Sequence, residues 1–202
     1  MTTSTPTENN SQDVGEVPHH ESSLPSANIL VVGEPAQSWD YFYTHTENAT
    51  NGLGIAIAGC DKAFYTEKLT DASFDLPFRK IGFSTETQNN TDSAAHTAIP
   101  ELGTQLFEAL DATPRCDILY ITNITPLLEH ESVQSIYRLL YLVSKRVTAI
   151  QNTALYAISA DVDQKTRRIL QQPMDYCVTF DATDSPSIQP LGSAPGNMND
   201  SR

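Results

Sequence analysis

Residues 116–150, CDILYITNITPLLEHESVQSIYRLLYLVSKRVTAI, constrain the fold more than any other part of this chain. They join a short apolar run, a small polar turn and a long segment with apolar residues every three or four positions. The run has the pattern of a strand buried on both faces of a parallel sheet, and the long segment that of an amphipathic helix. Val133, Ile136, Tyr137, Leu140, Val143, Val147 and Ile150 mark the apolar face of that helix. Leu139 and Leu142 widen it, which predicts cover on more than one side.

The same alternation runs through the rest of the chain. Residues 28–33 (NILVVG), 53–60 (LGIAIAGC), 79–84 (RKIGFS), 154–159 (ALYAIS) and 176–180 (YCVTF) read as further strands. Helices are expected from Trp39 to just before Asn48, around Phe64, Tyr65 and Leu69, from Ile99 through Leu102, Leu106, Phe107 and Leu110 towards Pro114, and over 164–172 ahead of Pro173. Residues 34–40 are expected as a loop. Strands that alternate with helices, with no tight hairpin between apolar runs, predict one three-layer α/β domain with a mostly parallel, doubly wound sheet. In such sheets ligands sit at the carboxyl ends of the strands. Here the central turn offers Thr122 and Asn123, neither an acid nor a pair of metal ligands.

Composition places the ends of the domain. Residues 1–27 hold four acids, no Lys or Arg, and no apolar periodicity, so they bury too little to offset the entropy of ordering. Residues 181–202 repeat that composition. The expectation is a folded unit over 28–180 between disordered tails at 1–27 and 181–202. A net charge of −13, from 12 Lys and Arg against 25 Asp and Glu, repels phosphate backbones and anionic lipid. Neither nucleic acid nor membrane is expected as a partner. The acidity fits a protein of concentrated salt and equally an ordinary acidic cytosolic one.

Cys60, Cys116 and Cys177 stand far apart in or beside apolar runs, where cysteine acts as a small buried hydrophobe. An odd count without CxxC spacing points away from a disulfide framework or a zinc site. His45, His96 and His130 are isolated and His19 and His20 fall in the first tail, so no metal site is expected. There is no basic-then-apolar leader and no apolar run of roughly 18 residues. A cytoplasmic chain is expected.

A strand ending in glycine, then a loop and helix, and later a strand with a small polar turn and a Leu-Leu pair resemble the RecA/KaiC-type P-loop ATPase core. The segments DILYITNITPLL, IYRLLYLVSKRV and ALYAIS followed by DVDQKTRRILQQPMDYCV are similar to KaiC-like proteins of haloarchaea. Tyr137, Arg138, Leu139, Leu140, Arg146 and Val147 occupy the matching helix positions. The resemblance spans about residues 28–180 and implies a RecA-like sheet with a nucleotide site.

The chemistry of that site does not carry over. In G-x-x-x-x-G-K-[ST] the glycines let backbone N–H groups close on phosphates, the lysine neutralises their charge, and the hydroxyl ligates magnesium. Counting from Gly33, Ser38 stands for the second glycine, Trp39 for the lysine and Asp40 for the hydroxyl. Glu34 and Asp40 add negative charge where an anion would sit, although a helix N-terminus favours one. The magnesium-associated acid falls on Thr122, and the catalytic carboxylate falls loosely on Asp61. The resemblance thus implies a vestigial pocket of Gly33, Ser38, Trp39, Asp40, Asp61 and Thr122, with no catalytic residue, cofactor or metal. It implies a non-catalytic regulatory or protein-interaction module in signal transduction, with a protein partner. The alternatives are an ATPase that binds nucleotide through Asp61 and the Gly33 loop, and a small-ligand sensor at Thr122.

Single residues divide the same way. Trp39 is either a plug in the old pocket or a large aromatic packing its helix on the sheet, and burial energy favours the second. Thr122 and Asn123 either hold a polar ligand or bond their own turn, as short polar side chains commonly do. Arg138 either pairs with an acid, on the helix or on a neighbouring subunit, or snorkels to solvent.

Overall fold

The structure is a computed structural model and describes residues 26–46, 52–55, 64–65, 67–68, 99–112 and 118–191. The expected strand over 79–84, the end of the second strand over 56–60, Asp61, Cys60, Cys116, His96 and residues 1–25 and 192–202 lie outside the described residues. Among the described residues six strands form one sheet: β1 (Asn28–Val32), β2 (Gly52–Ile55), β3 (Ile118–Ile121), β4 (Thr153–Ile158), β5 (Tyr176–Phe180) and β6 (Pro186–Pro190). Their order is β2-β3-β4-β1-β5-β6. The first five are parallel, with Asn28 beside Ala154, Ile29 beside Tyr176 and Ile118 beside Thr153. β6 runs antiparallel to β5.

The apolar runs are continuous because both faces of the sheet are covered. Side chains alternate across a strand, so Leu30 and Val32 face one layer and Ile29 and Val31 the other. Leu30 and Val32 join Leu119, Ile121, Tyr156, Ile158 and Cys177 beneath α2 (Ile99–Ala112), α4 (Val133–Ala149) and α5 (Gln164–Gln171). Ile29 and Val31 join Tyr120, Leu155, Ala157 and Val178 against Trp39 and Phe42 of α1 (Pro35–Thr46) and against Tyr65. A four-residue helix, α3 (Thr125–Leu128), follows β3. Among the described residues no helix is long and apolar enough to cross a membrane.

Caps explain where the helices begin. The Ser132 hydroxyl accepts from the Ser135 N–H at 3.1 Å and opens α4. Asp163 accepts from the Lys165 and Thr166 N–H groups, both at 3.0 Å, and opens α5. Hydrogen bonds from Thr166, and then from Lys165, hold the Asp163 carboxyl below the usual range. The core face of α4 is Ile136, Leu139, Leu140, Val143 and Val147. Leu142 is 54 % exposed, so the cover predicted for both flanks exists only on the Leu139 flank.

Two expectations are corrected. The loop expected over 34–40 shrinks to Gly33 and Glu34, and α1 begins at Pro35. Proline suits the first helical position, where its ring presets φ and no N–H is needed. At the other end the tail expected from residue 181 is ordered through Leu191. Asp181 Oδ1 accepts from the Thr183 N–H (2.8 Å), the Thr183 hydroxyl (2.7 Å) and the Ser185 N–H (3.0 Å). With Asp184 at φ 59°, this reverses the chain into β6. Leu191 N–H then closes the ladder on Asp175 O at 2.8 Å.

Candidate functional site

The crevice that such a sheet is expected to offer lies at the carboxyl ends of β1, β4 and β3, with β4 in the middle. Hydrogen bonds tie β4 to both neighbours. Gly33 N–H donates to Ile158 O at 3.1 Å, and Ile124 N–H donates to Ala157 O at 2.8 Å. Ser159 N–H donates to Thr125 Oγ1 at 2.8 Å. Asn123 Oδ1 takes the Thr125 N–H at 3.1 Å, the turn bond expected of a short polar side chain. Thr122, where the resemblance places an acid, is 3 % exposed.

The turn from β1 into α1 is equally occupied. Glu34 O accepts the first helical bond from Ser38 N–H at 3.0 Å. Gln37, three residues on, returns its Oε1 to the Glu34 N–H at 2.9 Å, which is the back-bond of a capping box. Its Nε2 donates to Asp184 Oδ1 at 2.6 Å and fastens α1 to the β5–β6 turn. Pro35 has no N–H to offer. A Cβ on Gly33 would lie 2.7 Å from the Phe180 ring and 2.8 Å from Gln37 Oε1, so this glycine answers to close packing.

The remaining predicted residues are scattered. Ser38 is buried on α1, and its hydroxyl has no hydrogen-bond partner among the described residues. Trp39 is buried in an aromatic cluster, with ring centroids 5.6 Å from Phe42, 6.2 Å from Tyr65 and 6.3 Å from Tyr120. It packs α1 on the sheet. Burial first, and then Tyr65, push the Tyr120 hydroxyl well above its ordinary value. Asp40 is exposed on α1. Gly33 and Thr122 thus sit at the ends of the two strands that flank β4, Trp39 faces the sheet, Ser38 is buried on α1, and Asp61 is outside the described residues.

Gln37, Phe180 and Thr125 shape this crevice and were not singled out by sequence. Gln37 had a signal, a Gln three residues after Glu34 with Pro35 between. Phe180 had none, since it meets Gly33 only across the sheet. Beside the crevice, α1 and the β5–β6 turn enclose a groove of about 420 Å³ lined by Gln37, Asp40, Tyr41, His45, Phe180 and Asp184. Among the described residues no three His, Cys, Asp or Glu side chains come together as a metal set.

A parallel sheet in this order, with helices on both faces and an antiparallel edge strand, places the chain in the KaiC/RecA-like class of α/β folds. The chain belongs to a family of unknown function, DUF7504, which matches residues 26–180. Among solved structures, a KaiC-like protein from the hyperthermophilic archaeon Pyrococcus horikoshii OT3 shares the fold, with a TM-score of 0.53 and 12 % identity over 78 % of this chain and 72 % of that one. Comparison with curated proteins gives no match.

Proposed function

We propose that this chain is a non-catalytic, KaiC-like regulatory or protein-interaction module of the cytoplasm, in which the nucleotide site has eroded and a protein partner has become the ligand. The supporting observation is the use of backbone donors around the crevice. The N–H groups of Gly33, Glu34, Ile124, Thr125 and Ser159 all bond within the protein, and Pro35 has none. A phosphate cradle works through such groups when they are free and converge on an anion. Here these five are taken, Glu34 adds a negative charge, and the lysine position holds the buried Trp39.

Trp39 supplies the test. A phosphate at the start of α1 would displace Gln37 and disturb the helix turn that carries the indole. Titration of magnesium-ATP in molar salt, followed by tryptophan emission and calorimetry, is expected to give neither a saturable emission change nor binding heat. Saturable binding in the micromolar range overturns the reading.

A further inference from the structure

α4 carries a second stripe, on the side away from the sheet. Arg138, Tyr141, Leu142 and Lys145 recur at i, i+3, i+4 and i+7 and so share one helix face. All four are exposed, Tyr141 at 42 % and Leu142 at 54 %. Tyr141 is held in place: Tyr137 stacks on it at 6.2 Å, and the Lys145 ammonium lies 5.4 Å from its ring centroid. The one ion pair among the described residues joins Arg146 to Asp111, so Arg138 and Lys145 have no carboxylate partner there. At its C-terminal end the stripe meets a groove of about 470 Å³, which Tyr141 and Lys145 line together with Gln172, Tyr176, Pro190 and Asp175, whose carboxylate is held by the Asn28 N–H.

Single exposed apolar side chains are normal and need no explanation. An adjacent tyrosine and leucine set between two cations without a carboxylate partner among the described residues, and continuous with a groove, are different. Charge decides what fits them. The chain carries 25 acids against 12 bases, yet α4 and α5 contain no Asp or Glu. They hold six of the twelve bases: Arg138, Lys145, Arg146, Lys165, Arg167 and Arg168. A two-fold contact through this stripe would set Arg138 and Lys145 against the same residues of a second copy, and like charges oppose such an interface. An anionic membrane would gain only about 1 kcal/mol per cation near its surface while meeting the field of a strongly acidic protein. An acidic segment gains from that sign reversal, and apolar anchors at helical spacing would cover the middle of the stripe.

We propose that the outer face of α4 docks an acidic amphipathic segment of a partner protein. Its carboxylates meet Arg138 and Lys145, and its apolar side chains cover Tyr141 and Leu142. This rests on reading the chain as a protein-interaction module and names the surface that the module uses.

A random dodecapeptide library displayed on phage is the probe. After selection on the full chain, enriched peptides are synthesised with a fluorophore and titrated by anisotropy against wild type, Arg138→Glu/Lys145→Glu and Leu142→Ser. Circular dichroism melting checks that these exposed substitutions leave the fold intact. The expected peptides are rich in Asp and Glu between apolar residues. Their binding weakens with salt, falls at least about tenfold in the charge-reversed variant and falls measurably in Leu142→Ser. Peptides without an acidic excess, binding indifferent to the charge reversal, or no enrichment overturn the proposal. So does co-sedimentation of wild type with phosphatidylglycerol vesicles that the charge reversal abolishes, since the surface would then belong to a membrane. Nucleotide binding with acidic-peptide binding intact sinks the non-catalytic reading alone, and absence of both sinks the docking surface alone.

Discussion

Asn28 is 2 % exposed and joins four parts of the molecule. Its N–H donates to Asp175 Oδ2 at 2.7 Å, and its Nδ2 donates to Thr148 Oγ1 at 3.1 Å. Its Oδ1 accepts from the Tyr156 hydroxyl at 3.0 Å. Replacement by Leu keeps the volume and strands that buried hydroxyl, so Asn28→Leu is expected to lower stability by about 1–3 kcal/mol in urea unfolding. An unchanged midpoint would mean that the network contributes nothing. Asp181 supplies a pH effect of known sign. Hydrogen bonds from Thr183, and then from Ser185, lower its carboxyl pKa in the folded chain. Its contribution is present above the unfolded aspartate value, about 3.9, and is lost as pH falls through the lower folded value. Amide shifts of Thr183 and Ser185 should therefore titrate with a midpoint below that of an ordinary aspartate, and Asp181→Asn should abolish the transition. A midpoint at or above the ordinary value contradicts the assignment. Caps such as Ser132 and Asp163 are of a kind that sequence can carry, because a cap bonds within its own turn. It did not carry Asn28, whose partners lie 116 to 147 residues away.

At the scale of elements, spacing alone located β1, β4, β5, α2, α4 and α5 to within about two residues, since both layers of the sheet impose strong periodicity. It could not separate Leu139 from Leu142. Both flank the apolar face of α4, and only the position of the neighbouring helices decides which is covered. The start of α1 lies at Pro35, ahead of the Trp39 start that the aromatic run suggests, because Pro35 and Gln37 mark the first helical turn. The short junction that results is tightly filled. Gly33→Ala would push a methyl group into the Phe180 ring, at an expected cost of about 1–3 kcal/mol. In a double-mutant cycle Phe180→Leu should recover part of that loss, and strict additivity of the two changes would show that the ring is not what Gly33 avoids.

For the molecule as a whole, the KaiC/RecA-like architecture was legible and the state of the crevice only in outline. Ser38, Trp39, Asp40 and Thr122 record which motif letters differ, but not that β4 is laced to both neighbours or that Gln37 occupies the Glu34 N–H. Those are long-range or side-chain facts without a local pattern. The ordered segment past residue 180 was missed because a Pro- and Ser-rich stretch reads as a tail until Asp181 is seen to organise the turn. That segment also changes how the sheet meets other chains. Leu191 N–H points inward to Asp175, so alternation along β6 turns Ser187 and Gln189 towards β5 and Pro186, Ile188 and Pro190 outward. Two of those three outward positions lack a hydrogen to donate. An incoming strand would find one donor at Ile188, too few to continue a ladder, and this rim of the sheet is thereby guarded against fibre-like growth.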